Sequence, residues 1–191
     1  LQLVKNAYDA KALAVSLIFS KGTLIIEDDG IGMDETDIHD KWMHVGKSEK
    51  QYDVIDDKKQ ARVLSGSKGI GRFALARLGE KIKLYSKKIG STGIAWETDW
   101  NHSVLTQNEE MHKTGTTIVV SMLREKWGRK KVQDLVLFLS KTYNDTAMKI
   151  TVIHPEMTCD VQKYFPEPQV GKNCLSAIKL YYDSNNKKLS T

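Results

Sequence analysis

Cysteine and proline are scarce in this chain: two cysteines and three prolines in 191 residues. Cys159 and Cys174 are too few for a disulfide framework and do not form a metal-type pair, and no secretory signal precedes them. These absences point to a reduced, cytoplasmic setting. No apolar run approaches the ~18 residues that a membrane-spanning helix needs, so a membrane role is not expected. Neither sign of charge dominates. The chain has 29 basic and 24 acidic residues, a net charge of +5 and a pI near 9.0. Such mild basicity suits anionic ligands or nucleic acid, and its interspersion makes it a weak signal for either. The densest basic run, Arg129-Lys130-Lys131, reads as a solvated helix start. Apolar residues make up 40% of the chain, enough for a real core. The length fits one domain, or one domain and the beginning of another.

Periodicity predicts a helix over 1–13, with Leu3, Val4, Ala7 and Ala10 on one side and Gln2, Asn6 and Asp9 together on another. The start inside a helix suggests that an upstream segment is missing. VSLIF (15–19) and TLIIED (23–28) read as strands of a hairpin turning at Ser-Lys-Gly. Asp34 is a candidate cap for a short helix reaching about Met43. Residues 44–69 form a long polar, glycine-punctuated loop, the kind of segment that usually carries function or motion. RFALARLG (72–79) reads as a helix ending at Gly79. KIKLYS, GIAWETDW, TTIVVSML and AMKITVI read as strands, and 129–142 as an amphipathic helix. Pro155, Pro166, Pro168 and Gly171 suggest a linker over 154–173 between a domain at 1–153 and the start of a second at 174–191. There AIKLYYD and SNNKK look like a first hairpin. The predicted fold is α/β: a two-layer sandwich of a mixed, mostly antiparallel sheet covered by helices on one face.

Four stretches have the residue types that chemistry would use, and each has a bland alternative. Gly66-Ser67-Lys68-Gly69-Ile70-Gly71 precedes a helix. Glycines let backbone N–H groups approach a phosphate, and a helix start adds partial positive charge, but an ordinary flexible turn has the same composition. Val45-Gly46-Lys47-Ser48 resembles the end of a P-loop, yet the required first glycine would fall at Lys41. The Gly69-Ile-Gly71 spacing also fits a dinucleotide fingerprint, but no strand end precedes it. In DDGIGM, aligning Gly30 with the fixed glycine of an EF-hand loop puts Ile25 first and Thr36 last, which rules out that calcium site. What remains is a strand-ending turn, or a recognition loop in which Asp28 accepts from an exocyclic amine while Gly30 and Gly32 admit a flat ring. The face bearing Gln2, Asn6 and Asp9 is either solvated or beside a phosphate site, where the Asn6 amide oxygen suits Mg²⁺. Thr114-Gly115-Thr116-Thr117 alone reads as a turn.

Taken in order, N-A-Y-D-A on a helix, D-x-G-x-G, G-x-x-G-x-G and G-T before a strand resemble the GHKL ATPase superfamily over roughly residues 1–153. That superfamily includes type II topoisomerase ATPase subunits, ninety-kilodalton heat-shock chaperones, histidine kinases, MutL and MORC proteins. The resemblance implies ATP and Mg²⁺ as cofactors, with Asn6 holding the metal and Asp9 on the same face. Asp28 would read the adenine amino group, supported by Thr116, and Gly30, Gly32 and Met33 would line the adenine side. Gly66, Gly69 and Gly71, with Ser67 and Ile70 between them, would belong to a lid over the phosphates. Lys68 and Arg72 add charge there by position. The stretch from Trp42 to Lys50 is similar to MutL- and MORC-like members, and Leu123 to Trp127 to bacterial stand-alone ones.

One position departs from the pattern. Hydrolytic members place a glutamate four residues before the asparagine as general base, and this chain has Gln2. An amide orients water but does not take its proton, and a general base contributes about 10²–10⁴-fold. The expectation is therefore an ATP-driven conformational or dimerisation switch with impaired hydrolysis. A homodimer through missing segments and nucleic acid as an indirect partner go with that reading. A histidine kinase catalytic domain and a non-catalytic nucleotide-binding module are the alternatives.

Overall fold

Apolar residues at every second position sort most strands of the chain into two faces. A computed structural model shows the outcome for residues 1–42, 71–143, 145–166, 181–183 and 188–190. Eight strands make one sheet: β1 (Ala14–Ser20), β2 (Thr23–Asp28), β3 (Gly79–Lys87), β4 (Gly93–Thr98), β5 (Ser103–Asn108), β6 (Gly115–Leu123), β7 (Lys149–His154) and β8 (Met157–Asp160). Their order is β5-β4-β3-β6-β2-β1-β7-β8. β1 and β7 pair in parallel, and the other neighbours are antiparallel. A separate antiparallel pair, β9 (Tyr181–Asp183) and β10 (Lys188–Ser190), lies where the sequence suggests a later hairpin.

Strand register turns the alternation into rows across the sheet, because directly paired residues point to the same side. One row runs Val152–Leu17–Ile26–Ile118–Leu84–Trp96 and a second Phe19–Leu24–Val120–Ile82, all buried. On the opposite side, Ile18, Ile25, Val119 and Ile153 are only half-buried. Helices cover the buried side. Leu3, Val4 and Ala7 from α1 (Gln2–Asp9), Leu75 from α3 (Gly71–Leu78) and Val132, Val136 and Leu139 from α4 (Arg129–Thr142) join the strand residues in one core. The spacing of the α4 residues is that of a single helical stripe. The architecture is the expected two-layer α/β sandwich with a mixed sheet.

Local differences from the sequence reading have physical causes. The first helix stops at Asp9, not at residue 13. Lys11 adopts a left-handed conformation (φ 60°) and the Ala12 N–H returns to the Ala7 carbonyl, which closes the helix. The hairpin turn is Lys21-Gly22, both left-handed, as a tight antiparallel connection requires. Asp34 does cap: its carboxylate accepts from the Asp37 N–H, Asp37 reciprocates, and α2 (Glu35–Asp37) continues as a π-helical turn to Trp42. The third helix ends where expected, at Leu78, and Gly79 follows it directly. That glycine begins β3, and a Cβ there would lie 2.5 Å from Val120 Cγ1 and 2.7 Å from the Ser121 carbonyl.

Two strands escaped the sequence reading. β5 is an edge strand whose mostly exposed residues carry little apolar alternation. β8 lies in the stretch read as linker and turns back from β7 at Pro155-Glu156. Val161–Tyr164 then forms a 3₁₀ turn packed on α4.

Leu84 sits at the middle of the central buried row and is 0% exposed. Leu84→Ala should lower unfolding free energy by about 2–5 kcal/mol, whereas Val119→Ala, on the half-exposed side, should cost clearly less. Urea titrations of the two variants check the assignment of faces, and equal losses would contradict it.

Candidate functional site

The buried side of the sheet holds a third cross-strand row, and its centre is polar. Asp28 ends β2, pairs with Thr116 on β6, and Thr116 pairs with Ser86 on β3. Apolar residues flank the trio, with Val15 and Ile150 on one side and Ile94 on the other. Alternation placed these three side chains inside, in phase with Ile26, Ile118 and Leu84. Polar groups in such a layer are expected to be hydrogen-bonded, and they are.

The Asp28 carboxylate accepts the Gly30 N–H at 3.0 Å and is also stabilised by the Thr116 N–H. Burial nevertheless pushes its pKa up to about 6, and the neighbouring charges of Asp29 and Glu27 add to the rise. Ser86, fully buried, is a hub. It receives the Met33 N–H at 2.8 Å and lies 3.0 Å from the Gly115 carbonyl and 2.9 Å from Thr116 Oγ1.

Glycines bring the backbones together here. Gly32 has φ 69°, and a Cβ on it would lie 1.9 Å from the Lys87 carbonyl oxygen. Gly115 has φ 129°, and its Cβ would meet the Asp28 carbonyl oxygen at 2.2 Å. Any side chain at either position would separate the D-x-G-x-G loop from β3 or β6. Gly30 is similarly confined: a Cβ on it would lie 2.8 Å from the Ala10 carbonyl oxygen.

The same loop is fastened to the end of α1. Asp29 accepts the N–H groups of Leu13 and Ala14 at 2.7 and 2.8 Å, and the Ile31 N–H donates to the Ala10 carbonyl at 2.9 Å. That ties the helix bearing Gln2, Asn6 and Asp9, all half-buried, to the loop bearing Asp28. α1 also packs on α3, whose first residues are Gly71 and Arg72. Behind α1, the Tyr8 hydroxyl donates to Asp145 at 2.6 Å. The adjacent Tyr143 phenol is held well above its ordinary pKa by burial, with Asp9 and Tyr8 contributing. On the other side of the loop, Lys88 pairs with Asp34 at 3.0 Å and Asp37 at 2.8 Å, pinning the capping box that follows Met33.

The structure thus gathers Asp28, Gly30, Gly32, Met33 and Thr116 around one spot and attaches α1 to it. Gly66, Ser67, Lys68, Gly69 and Ile70, and the segment around Gly46-Lys47-Ser48, lie outside the described residues. Sequence reasoning missed Ser86, Asp29 and Lys88. For Ser86 a signal existed: a small polar residue at the inward phase of KIKLYS. The partners of Asp29 and Lys88 depend on packing, which no local pattern shows.

An acid whose folded pKa lies above its unfolded one holds its proton more tightly when folded. Its ionisation therefore opposes folding once the pH exceeds the unfolded value. For Asp28 the penalty grows between pH 3.8 and about 6 and is complete above that. Asp28→Asn should stabilise the ligand-free protein by ~1–3 kcal/mol at pH 8, with no gain below pH ~4. Denaturation midpoints at the two pH values check this, and an equal gain at both would contradict the burial of a charged Asp28.

Comparisons with known proteins meet this geometry from another direction. A family model described as "Histidine kinase-, DNA gyrase B-, and HSP90-like ATPase" matches residues 1–126. A putative type II restriction enzyme, HgiDII of Herpetosiphon aurantiacus, is 36% identical over 92 residues, 47% of this chain and 14% of that protein. The chaperone protein HtpG of Borreliella burgdorferi is 26% identical over 140 residues, 68% of this chain and 22% of the chaperone. The mitochondrial TNF receptor-associated protein 1 homolog of Dictyostelium discoideum is 27% identical over 147 residues, 75% of this chain and 20% of that protein. The chain spans less than a quarter of the length of each of these relatives. The matched region contains α1, the D-x-G-x-G loop and the polar row of the sheet, and the chain belongs to the histidine kinase-, DNA gyrase B- and HSP90-like (GHKL) ATPase family.

Proposed function

We propose that this domain binds ATP with Mg²⁺ and uses the nucleotide to switch conformation or dimerise, with hydrolysis slowed by Gln2. The observation that carries the reading is the half-buried carboxylate of Asp28 beside Thr116, in a loop region that Gly30, Gly32 and Gly115 allow to pack backbone against backbone. A half-buried acceptor held in this way fits the amino edge of a flat base. Near pH 7 Asp28 is mostly ionised and accepts only.

Asn6 lies one helical turn from Asp9 and from Gln2, on the helix attached to the same loop. Among the described residues no group of three or more His, Cys, Asp or Glu could hold a metal alone. Mg²⁺ at Asn6 would thus complete its shell with phosphate oxygens and water, as this ion commonly does. Bound there, it would offset phosphate charge.

Gln2 stands one turn before Asn6, where hydrolytic members hold a carboxylate. Its amide would orient a water and leave the proton on it. The glycine loop before α3 would cover the phosphates, and closure of such a lid is a common way of coupling nucleotide to shape. Residues 174–191 would begin a transducer-like neighbouring domain. Among the described residues no helix is long and apolar enough to cross a membrane.

Two measurements test these roles. Asp28→Asn should abolish ATP binding in a calorimetric titration, and unchanged affinity would remove Asp28 from the adenine site. Gln2→Glu should raise ATP turnover by about 10²-fold or more, with ATP affinity little changed. A variant that binds ATP yet gains no turnover would contradict the base position and favour the non-catalytic module.

A further inference from the structure

We propose that Ser86 sets the base specificity of this site by fixing which way the Thr116 hydroxyl proton points. The proposal rests on the nucleotide-binding reading above and adds a residue to it.

Proton counting carries the inference. A serine hydroxyl has one proton and two lone pairs. Ser86 Oγ has three close partners: the Met33 N–H at 2.8 Å, the Gly115 carbonyl at 3.0 Å and Thr116 Oγ1 at 2.9 Å. An N–H only donates, so Ser86 accepts from Met33. A carbonyl only accepts, so the serine proton goes to Gly115. One arrangement then satisfies all three contacts, with Thr116 donating its own proton to the second lone pair of Ser86. Ser86 is 0% exposed, so water does not relax this requirement.

The consequence lies on the ligand side. With its proton committed to Ser86, Thr116 Oγ1 offers lone pairs alone. Its cross-strand neighbour Asp28, ionised above pH ~6, also offers lone pairs alone. The pair is a double-acceptor edge, which suits an exocyclic amine with its two hydrogens. A water placed between the pair and a ligand would donate to both residues and again present a lone pair. Directly or through water, the site asks the base for an N–H. A 6-oxo purine brings a carbonyl oxygen to the same place and leaves acceptor facing acceptor. Sites built around a hydrogen bond reject analogues lacking the donor far more strongly than apolar pockets reject a size change.

Removing the Ser86 hydroxyl frees the Thr116 proton to turn toward the ligand, where it can donate to a carbonyl. Ser86→Ala also removes the partner of the Met33 N–H, which weakens binding of any base. The informative quantity is therefore a ratio of affinities. Calorimetric titration of ADP and of inosine diphosphate, each with Mg²⁺, gives two Kd values per protein. The native chain should prefer ADP by about 100-fold or more, and Ser86→Ala should shrink that preference about tenfold. Ser86→Thr, which retains a hydroxyl, should restore it.

Equal weakening of both nucleotides would make Ser86 merely structural and overturn the proposal. So would a native chain that binds both nucleotides equally. If Ser86→Ala does not fold by circular dichroism, Ser86→Cys, close in size and a weaker donor and acceptor, should narrow the ratio in the same direction. An unchanged ratio there overturns the proposal as well. Failure of the native chain to bind ADP at all would instead remove the nucleotide reading on which the proposal stands.

Discussion

Partial burial of one carboxylate in a largely apolar sheet face is the constraint on which the rest of this site depends. Asp28 sits in phase with Ile26 and Leu24, so strand alternation carries it inward. An ionised group there needs donors, and the donors available are backbone N–H groups of Gly30 and Thr116. Recruiting them forces the chain to turn tightly after β2 and β6 to begin close beside it. That closeness explains Gly115, whose missing side chain lets the β6 backbone touch the Asp28 carbonyl. Even so, desolvation outweighs these donors and raises the carboxyl pKa to about 6. A group held in this way costs stability when the site is empty and has spare acceptor capacity for a ligand. Strain of that kind between stability and function is expected at binding sites.

The second organising feature is the set of fastenings around the D-x-G-x-G loop. Asp29 holds the start of β1, Ile31 holds the end of α1, Met33 holds β3 through Ser86, and Lys88 holds Asp34 and Asp37. Successive residues of one short loop are therefore tied to different elements. The helix bearing Gln2 and Asn6 and the strands bearing Thr116 and Ser86 are positioned against a common reference. Preorganisation of this sort keeps recognition groups at fixed separation.

Much of this was legible in the sequence. Period-two apolar patterns marked β1, β2, β3, β4, β6 and β7, and the 3.6-residue stripe marked α4. Asp34 marked the helix cap, and the structure adds Asp37 as its reciprocal partner. β5 was not legible because an edge strand with polar residues on both sides has no alternation to read. β8 was hidden by Pro155, a turn residue that reads equally as the start of a linker or the corner of a hairpin. Gly79 marked the end of α3, as glycine after a helical run usually does. Its second constraint, the Val120 side chain where a Cβ would lie, is on a strand more than forty residues away.

The sequence by itself determined the kinds of groups and their order: an amide-bearing helix, an acidic loop with glycines, a glycine-rich segment and a Gly-Thr strand start. It also determined that Gln2, not an acid, precedes Asn6 by one turn, since covalent spacing on a helix suffices for that. The tertiary structure alone decided which groups meet. Asp28, Thr116 and Ser86 are far apart in the chain and become neighbours through the order β3-β6-β2, an arrangement set by long-range strand pairing. The direction inferred for a single hydroxyl proton on Thr116 follows from that pairing, which brings a donor, a carbonyl and a second hydroxyl to one serine oxygen.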